Sequence, residues 1–279
     1  SHVREFCLSA LCIRRAAARK TRFKKKVLSM HTRSGSQSEP DILIADLGTT
    51  NIVVSNGIET VRMKNPQIRY GSDIISRILY SLNNGPLPLQ TALHKGLIEA
   101  VTQLSGKISS PVKIIVLTGN TVMMHFLLGL DTSGMASYPF TPVSLFNTEL
   151  TLSNVFSSAA FLPSIISPEA EVYLPPCIDS FVGADLVCAS VGCGLYGLPD
   201  TNNVVQHGSD QFSSRLVIDI GTNTEILLYH KDHYFACSTA AGPAFEGGNM
   251  KSTLRGSELL HTLALMLDSQ QMDNTGMLV

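Results

Sequence analysis

Apolar residues alternate with polar ones, or cluster in short runs, in an order that occurs twice. "DILIAD" (41–46) is a brief apolar run closed by a turn, which predicts a buried strand. "NIVVSNGIETVRM" follows as two strands joined across Asn56-Gly57, a strong hairpin signal. Ser72 or Asp73 caps a helix over "DIISRILYSL", ended by Gly85-Pro86. A second helix spans about 89–105, with Ala92, Leu93, Leu97, Ile98, Val101 and Leu104 at helical spacing. "VKIIVLTG" (112–119) predicts a buried strand and "NTVMMHFLLGL" (120–130) a helix. Residues 131–176 carry six prolines and predict irregular chain, with "LPPC" (174–177) as a rigid crossing segment. "FVGADLVCASVGCGL" (181–195) predicts a helix with small residues on one face, and 199–214 a polar loop.

The second half restates the opening. "RLVIDIGT" (215–222) is a strand and turn, and "EILLYH" with "HYFACST" forms a hairpin across Lys231-Asp232. "AAGPAFEGG" (240–248) is a Gly/Pro turn and "SELLHTLALML" (257–267) a helix. A strand–turn–hairpin–loop–helix order met twice argues an internal duplication and an α/β fold of two related lobes. The expected divisions are a basic extension or linker over 1–40, a first lobe with an inserted loop over 41–200, and the start of a second lobe over 201–279.

Composition changes this picture little. Of 279 residues, 44% are hydrophobic and 15% charged, which suits a large buried core and excludes wholesale disorder. Every apolar run is broken too soon to span a bilayer. The net charge of −1 hides an asymmetry, because ten of the 21 Lys/Arg but two of the 22 Asp/Glu lie in residues 1–40. The remainder is acidic and a poor nucleic-acid binder. The basic head reads as a targeting segment, a nucleic-acid or membrane arm, or a solvated extension, the last being the simplest. The six cysteines form no C-x-x-C pattern, so each reads as a small buried hydrophobe in a reducing compartment. The expectation is a cytoplasmic chain with neither nucleic-acid nor membrane partner.

Chemistry enters with the repeated turn, Asp46-Leu47-Gly48-Thr49-Thr50-Asn51 and Asp219-Ile220-Gly221-Thr222-Asn223-Thr224. An Asp at the carboxyl end of a strand projects into the crevice where α/β sheets take ligands. The glycine lets a phosphate approach main-chain N–H groups, and Thr and Asn add donors for phosphate oxygens. Carboxylates suit Mg²⁺ held through water. Two such turns facing each other would close on a nucleotide polyphosphate, with one Asp holding hydrated Mg²⁺ and the other orienting the attacking water. An isolated Asp-x-Gly is more often an ordinary turn; the matched pair carries the reading. Glu246, in a Gly-rich turn, reads equally as a ligand-facing carboxylate or a solvated one. His125 reads as core, Asn120 as a helix cap or a cleft residue, and Asp185 as a helix-end partner in preference to a cleft group.

The doubled motif resembles the actin, sugar-kinase and Hsp70-like ATPase superfamily. "NPQIRYGSDIISRI", "LTGNTVMMHFLLGL", "FVGADLVCA", "LVIDIGTNTEILL" and "ACSTAAGPAFEGG" together resemble the reductive activators of corrinoid proteins. That resemblance implies duplicated actin-like (ribonuclease H-like) ATPase lobes that bind ATP and Mg²⁺. It implies an activator returning an inactive cobalt(II) corrinoid protein, its partner, to cobalt(I). Electrons come in that family from an iron–sulfur cluster in a ferredoxin-like domain, for which this chain carries no cysteine cluster, so the cluster is expected on another domain or protein. Asp46, Gly48, Thr49 and Thr50 match the first phosphate motif, Asp219, Gly221, Thr222 and Asn223 the second, and Glu246 the Gly-Pro motif. Asp46, Asp219 and Glu246 are the expected catalytic groups. The later adenosine-holding segment is not visible, so the second lobe is expected to be incomplete. A small-molecule kinase of the same superfamily and a non-hydrolysing docking module are the alternatives.

Overall fold

The computed structural model describes residues 42–108, 110–156, 163–193, 195, 214–230, 233–241, 262 and 264–273. The basic head, the Lys231-Asp232 link and nearly all of the Gly/Pro turn lie outside them, as does most of the last helix's amino-terminal half; 264–268 are helical.

Strands β1 (Ile42–Leu47), β2 (Asn51–Ser55) and β3 (Thr60–Lys64) form an antiparallel meander. Asn56 ties the β2–β3 hairpin, its Oδ1 accepting from the amides of Ile58 at 3.0 Å and Glu59 at 2.8 Å. Helix α1 (Ile74–Asn84) starts at a reciprocal Asp73–Ser76 capping box. Helix α2 (Leu87–Ser105) follows Pro86, and β4 (Val112–Thr118) then runs parallel to β1. Helix α3 (Thr121–Leu128), strand β5 (Phe146–Thr151), the short helix α4 (Leu152–Val155) and strand β6 (Ile166–Pro176) complete a six-stranded sheet of order β3-β2-β1-β4-β6-β5. Helix α5 (Ala184–Gly192) leads toward a second sheet of β7 (Ser214–Ile220), β8 (Asn223–His230) and β9 (His233–Ala240), paired antiparallel.

Side-chain alternation decides what each face of β1 does. Leu43, Ala45 and Leu47 are sealed in the main core with Leu97, Val101 and Phe126 of α2 and α3. Each leucine buried in this way contributes about 1.5–3 kcal/mol. Period two then puts Asp46 on the opposite face, toward α5. Helix α5 packs on both sheets: Val187 meets Tyr173 and Val116 of the first, while Leu186 meets Leu227 and Val217 of the second.

The segment 131–176 departs from the expected irregular chain. It holds β5, α4 and β6, and β6 is paired on both sides, to β4 and to β5. The prolines are placed where a ladder tolerates them: Pro168 lies opposite a register shift in β4 between Val112 and Ile114, and Pro175 and Pro176 end the strand. "LPPC" is thus the buried end of a central strand.

Candidate functional site

The carboxyl ends of β1 and β4 meet the amino-terminal end of α5. Asp46 lies beside Thr118 in the parallel register, and the Thr118 hydroxyl donates to Cys188 Sγ on α5 at 3.6 Å. Cys188 is three residues beyond Asp185, so Asp185 stands on the same side of α5, facing the end of β1. Gly183 makes this approach possible. A Cβ there would lie 2.4 Å from Asn120 Cα and 2.5 Å from the Gly119 carbonyl oxygen, while the Ala184 amide donates to that same oxygen at 2.9 Å.

The first turn, 48–50, is held from behind. Asn65 Nδ2 donates to the Gly48 carbonyl at 2.8 Å, Arg77 Nη2 to the Thr49 carbonyl at 2.7 Å, and the Asn65 amide to the Thr50 carbonyl at 2.9 Å. Gly48 has no room for a side chain, since a Cβ would meet the Asn51 carbonyl oxygen at 2.6 Å. Thr49 and Thr50 are buried.

The second turn is one residue tighter. Asp46 pairs with Val53 across the first turn, whereas Asp219 pairs with Glu225 across the second. A one-residue difference in register exchanges the faces of a strand. In β8 it puts Glu225 on the side of Leu227, toward α5, and both are buried. Glu225 Oε1 accepts from Asn120 Nδ2 at 3.1 Å, and its Oε2 is buried without a hydrogen-bond partner. Asn120 also caps α3, its Oδ1 accepting from the Val122 amide at 3.1 Å, so it fills both roles the sequence left open.

The two turns meet. Thr50 Oγ1 and Thr222 Oγ1 are 2.8 Å apart, in a buried hydrogen bond between residues 172 positions apart. Electrostatics place the four carboxylates around the same space. Burial is the first cause raising the Asp185 carboxyl above its ordinary range, followed by the charge of Asp46 and then Asp219. Glu225 is raised likewise, by burial first, then by Asp185, with Asp219 and Asp46 adding to it. Burial and the neighbouring charges thus disfavour the ionised forms of Asp185 and Glu225, a cost that a cation would relieve. Among the described residues no three His, Cys, Asp or Glu side chains are preassembled as a metal cage.

Of the residues singled out in the sequence, Asp46, Gly48, Thr49, Thr50, Asp219, Gly221, Thr222 and Asn223 belong to these two turns, and Asp219 is exposed. Glu246 lies outside the described residues. His125 is core: its Nδ1 bonds the Thr121 carbonyl at 2.7 Å and burial lowers its pKa. Asp185 reads from the sequence as a helix-end partner in preference to a cleft group; its Oδ1 accepts from the Leu186 amide at 2.9 Å, and it feels the charge of Asp46 as well. Two further residues escaped sequence reasoning. Glu225 shares a strand face with Leu227 and Tyr229, a carboxylate in an apolar stripe. Arg77 shares the buried stripe of α1 with Ile74, Ile78 and Ser81. Burial pushes the Cys188 thiol up to about 12, which disfavours its thiolate.

Two families match the chain in succession. That described as the RACo middle region matches residues 43–197, and that described as the C-terminal domain of RACo, the ASKHA domain, matches 213–264. A corrinoid activation enzyme, RamQ, of Eubacterium limosum is 33% identical over 238 residues, covering 80% of this chain and 36% of that protein. A solved structure described as a reductive activator for a corrinoid, iron–sulfur protein superposes with a TM-score of 0.69 at 27% identity, covering 88% of this chain and 43% of that one. The chain therefore spans less than half the length of these relatives.

Proposed function

The chain belongs to the RACo family, and from that premise we propose that it is the ATP-binding part of an activator that supports reduction of inactive cobalt(II) corrinoid proteins to cobalt(I). Its fold is α/β and actin-like. The observation that carries the reading is the meeting of the two acidic turns at Thr50 and Thr222.

In this reading the polyphosphate of ATP enters between the turns and replaces the Thr50–Thr222 hydrogen bond with bonds from both hydroxyls to phosphate oxygens. The main-chain N–H groups after Gly48 and Gly221 add donors. Mg²⁺ fits the donor set, since it takes one or two carboxylates and keeps several waters, and so asks for no preassembled cage. Asp46 and Asp219 would hold it through water, and it would supply charge neutralisation at the transferring phosphate. Asp185 and Glu225 are the other carboxylates facing that space among the described residues, and either can orient the attacking water. Helix α5, packed on both sheets, ties the separation of the lobes to the occupant of the cleft. We assign the electron source to another domain or protein, and the corrinoid protein is the partner.

The test follows the appearance of cobalt(I) by absorption when a cobalt(II) corrinoid protein is mixed with a low-potential reductant. Added chain with Mg²⁺ and ATP is expected to accelerate cobalt(I) formation, and added chain with Mg²⁺ alone is not. Equal rates with and without ATP would remove the nucleotide from the account.

A further inference from the structure

Arg77 is the largest fully buried side chain in the described residues, and it sits in α1 directly behind the first turn. Its guanidinium donates from Nη2 to the Thr49 carbonyl at 2.7 Å, from Nε to the Gly71 carbonyl at 3.0 Å and from Nη1 to Gln67 Oε1 at 3.1 Å; Nη1 also reaches Met123 Sδ at 3.4 Å. All four acceptors are uncharged. Burying a cation among neutral acceptors is costly, and a core arginine satisfied this way contributes less to stability than an apolar residue of similar volume would. The charge is retained nonetheless: burial lowers its pKa only to about 10, with Asp73 opposing the shift.

The arrangement has a directional consequence. In a trans peptide the carbonyl of one residue and the N–H of the next point in opposite directions. Asn65 Nδ2 fixes the Gly48 carbonyl, Arg77 fixes the Thr49 carbonyl, and the Asn65 amide fixes the Thr50 carbonyl. Three consecutive carbonyls are thus drawn back toward the loop and helix behind the turn. The N–H groups of Thr49 and Thr50 are therefore turned the other way. Successive N–H groups held in this manner form an anion-binding concavity, and a fixed positive charge one carbonyl behind them deepens its potential.

We propose that Arg77 and Asn65 are positioning residues that hold the first turn with its amides presented to a polyphosphate, Arg77 adding its buried charge to the same site. Neither residue touches the ligand. Asn65 is built for this, since its Oδ1 accepts from the Gln67 amide at 2.9 Å and caps the following 3₁₀ turn, leaving Nδ2 for Gly48. Gln67 completes the frame, donating from Nε2 to the Leu89 carbonyl at 2.9 Å while its Oε1 takes Arg77. The inference rests on the nucleotide reading above, and it names which residues outside the motif make that turn competent.

The test is calorimetric titration of the full chain with Mg²⁺-ATP and, separately, with inorganic tripolyphosphate. Arg77→Met fills the same space without the charge or the donors. Arg77→Lys restores the charge without the fork. Arg77→Met is expected to weaken both ligands by about ten- to a hundredfold, the worth of a charge-assisted hydrogen bond, and Arg77→Lys to recover part of the loss. Thermal melting of the free protein is measured alongside. A residue that only supports the fold would move the melting temperature and leave the dissociation constants of the folded protein unchanged, and that result overturns the proposal. If Arg77→Met does not fold, Asn65→Ser carries the same test, because Ser keeps the cap on Gln67 but is too short to reach Gly48. Failure of the unsubstituted chain to bind either ligand overturns the nucleotide reading itself. Binding by the unsubstituted chain with unaltered binding by these variants overturns the positioning role alone.

Discussion

Thr50 and Thr222, 172 residues apart, share a buried hydrogen bond of 2.8 Å between their hydroxyls. Each stands in one copy of the same acidic turn, so the duplication visible in the sequence closes on itself in space. A phosphate cannot lie between two oxygens at that distance. The bond must open for a ligand to enter, and a covalent bond in its place must prevent entry. Thr50→Cys combined with Thr222→Cys is expected to form a disulfide on mild oxidation, which peptide mapping detects. The oxidised double variant is expected to lose nucleotide binding and regain it on reduction.

Glu225 gives the chain a pH-dependent stability of definite sign. Its carboxyl is raised above the ordinary range in the folded state, so the native protein binds more protons than the unfolded chain over the window from that ordinary range upward. Stability contributed by the neutral form is present at mildly acidic pH and falls as pH rises through the folded-state value. Asp185, raised for the same reasons, adds to the trend. Thermal melts from mildly acidic to alkaline pH are expected to show a declining midpoint. Glu225→Gln keeps the acceptor for Asn120 and is expected to flatten that decline, with the larger gain at alkaline pH.

Asn120 joins a helix cap to a carboxylate of the other sheet. Asn120→Ala removes both, and is expected to destabilise the protein by about 1–2 kcal/mol, the usual worth of a cap with a further buried bond. Asn120→Asp keeps the cap but sets a carboxylate against Glu225. Its loss is expected to grow with pH more steeply than that of Asn120→Ala, which withdraws one hydrogen bond from the ionised Glu225 without adding a charge. Chemical denaturation at two pH values separates them.

Gly183 is the residue on which the approach of α5 depends. Alanine there meets backbone at 2.4 and 2.5 Å, which no side-chain rearrangement relieves. Gly183→Ala is expected to cost about 1–3 kcal/mol, the range for overpacking, measured as a drop in denaturation midpoint. Gly192, at the other end of the same helix with open space beside it, is expected to tolerate Ala.

Much of the fold was legible because its elements obey simple periods. The first hairpin, helices α1, α2 and α3, and the strand at 112–118 follow apolar spacing and turn residues closely. β6 did not, because three of its eleven residues are proline, and only pairing shows that they fall at a register shift and at the strand end. The site was legible where it repeats and obscure where it does not. Asp46 and Asp219 stand in matched positions, whereas Glu225 enters through a one-residue difference in turn length that the aligned motifs conceal. Arg77 belongs to a helix whose apolar spacing hides a polar member of the buried stripe, and Asp185 is a half-buried residue in the first turn of another. Their roles come from what lies across the gap, which no local pattern encodes.

The most direct measurement is titration of the full chain with ATP in the presence and absence of Mg²⁺, repeated with Asp219→Ala. Saturable, Mg²⁺-dependent binding that is lost in Asp219→Ala is the expected result. A folded chain that takes up no ATP, or binds it equally well without Asp219, would contradict a phosphate clamp built from the two turns.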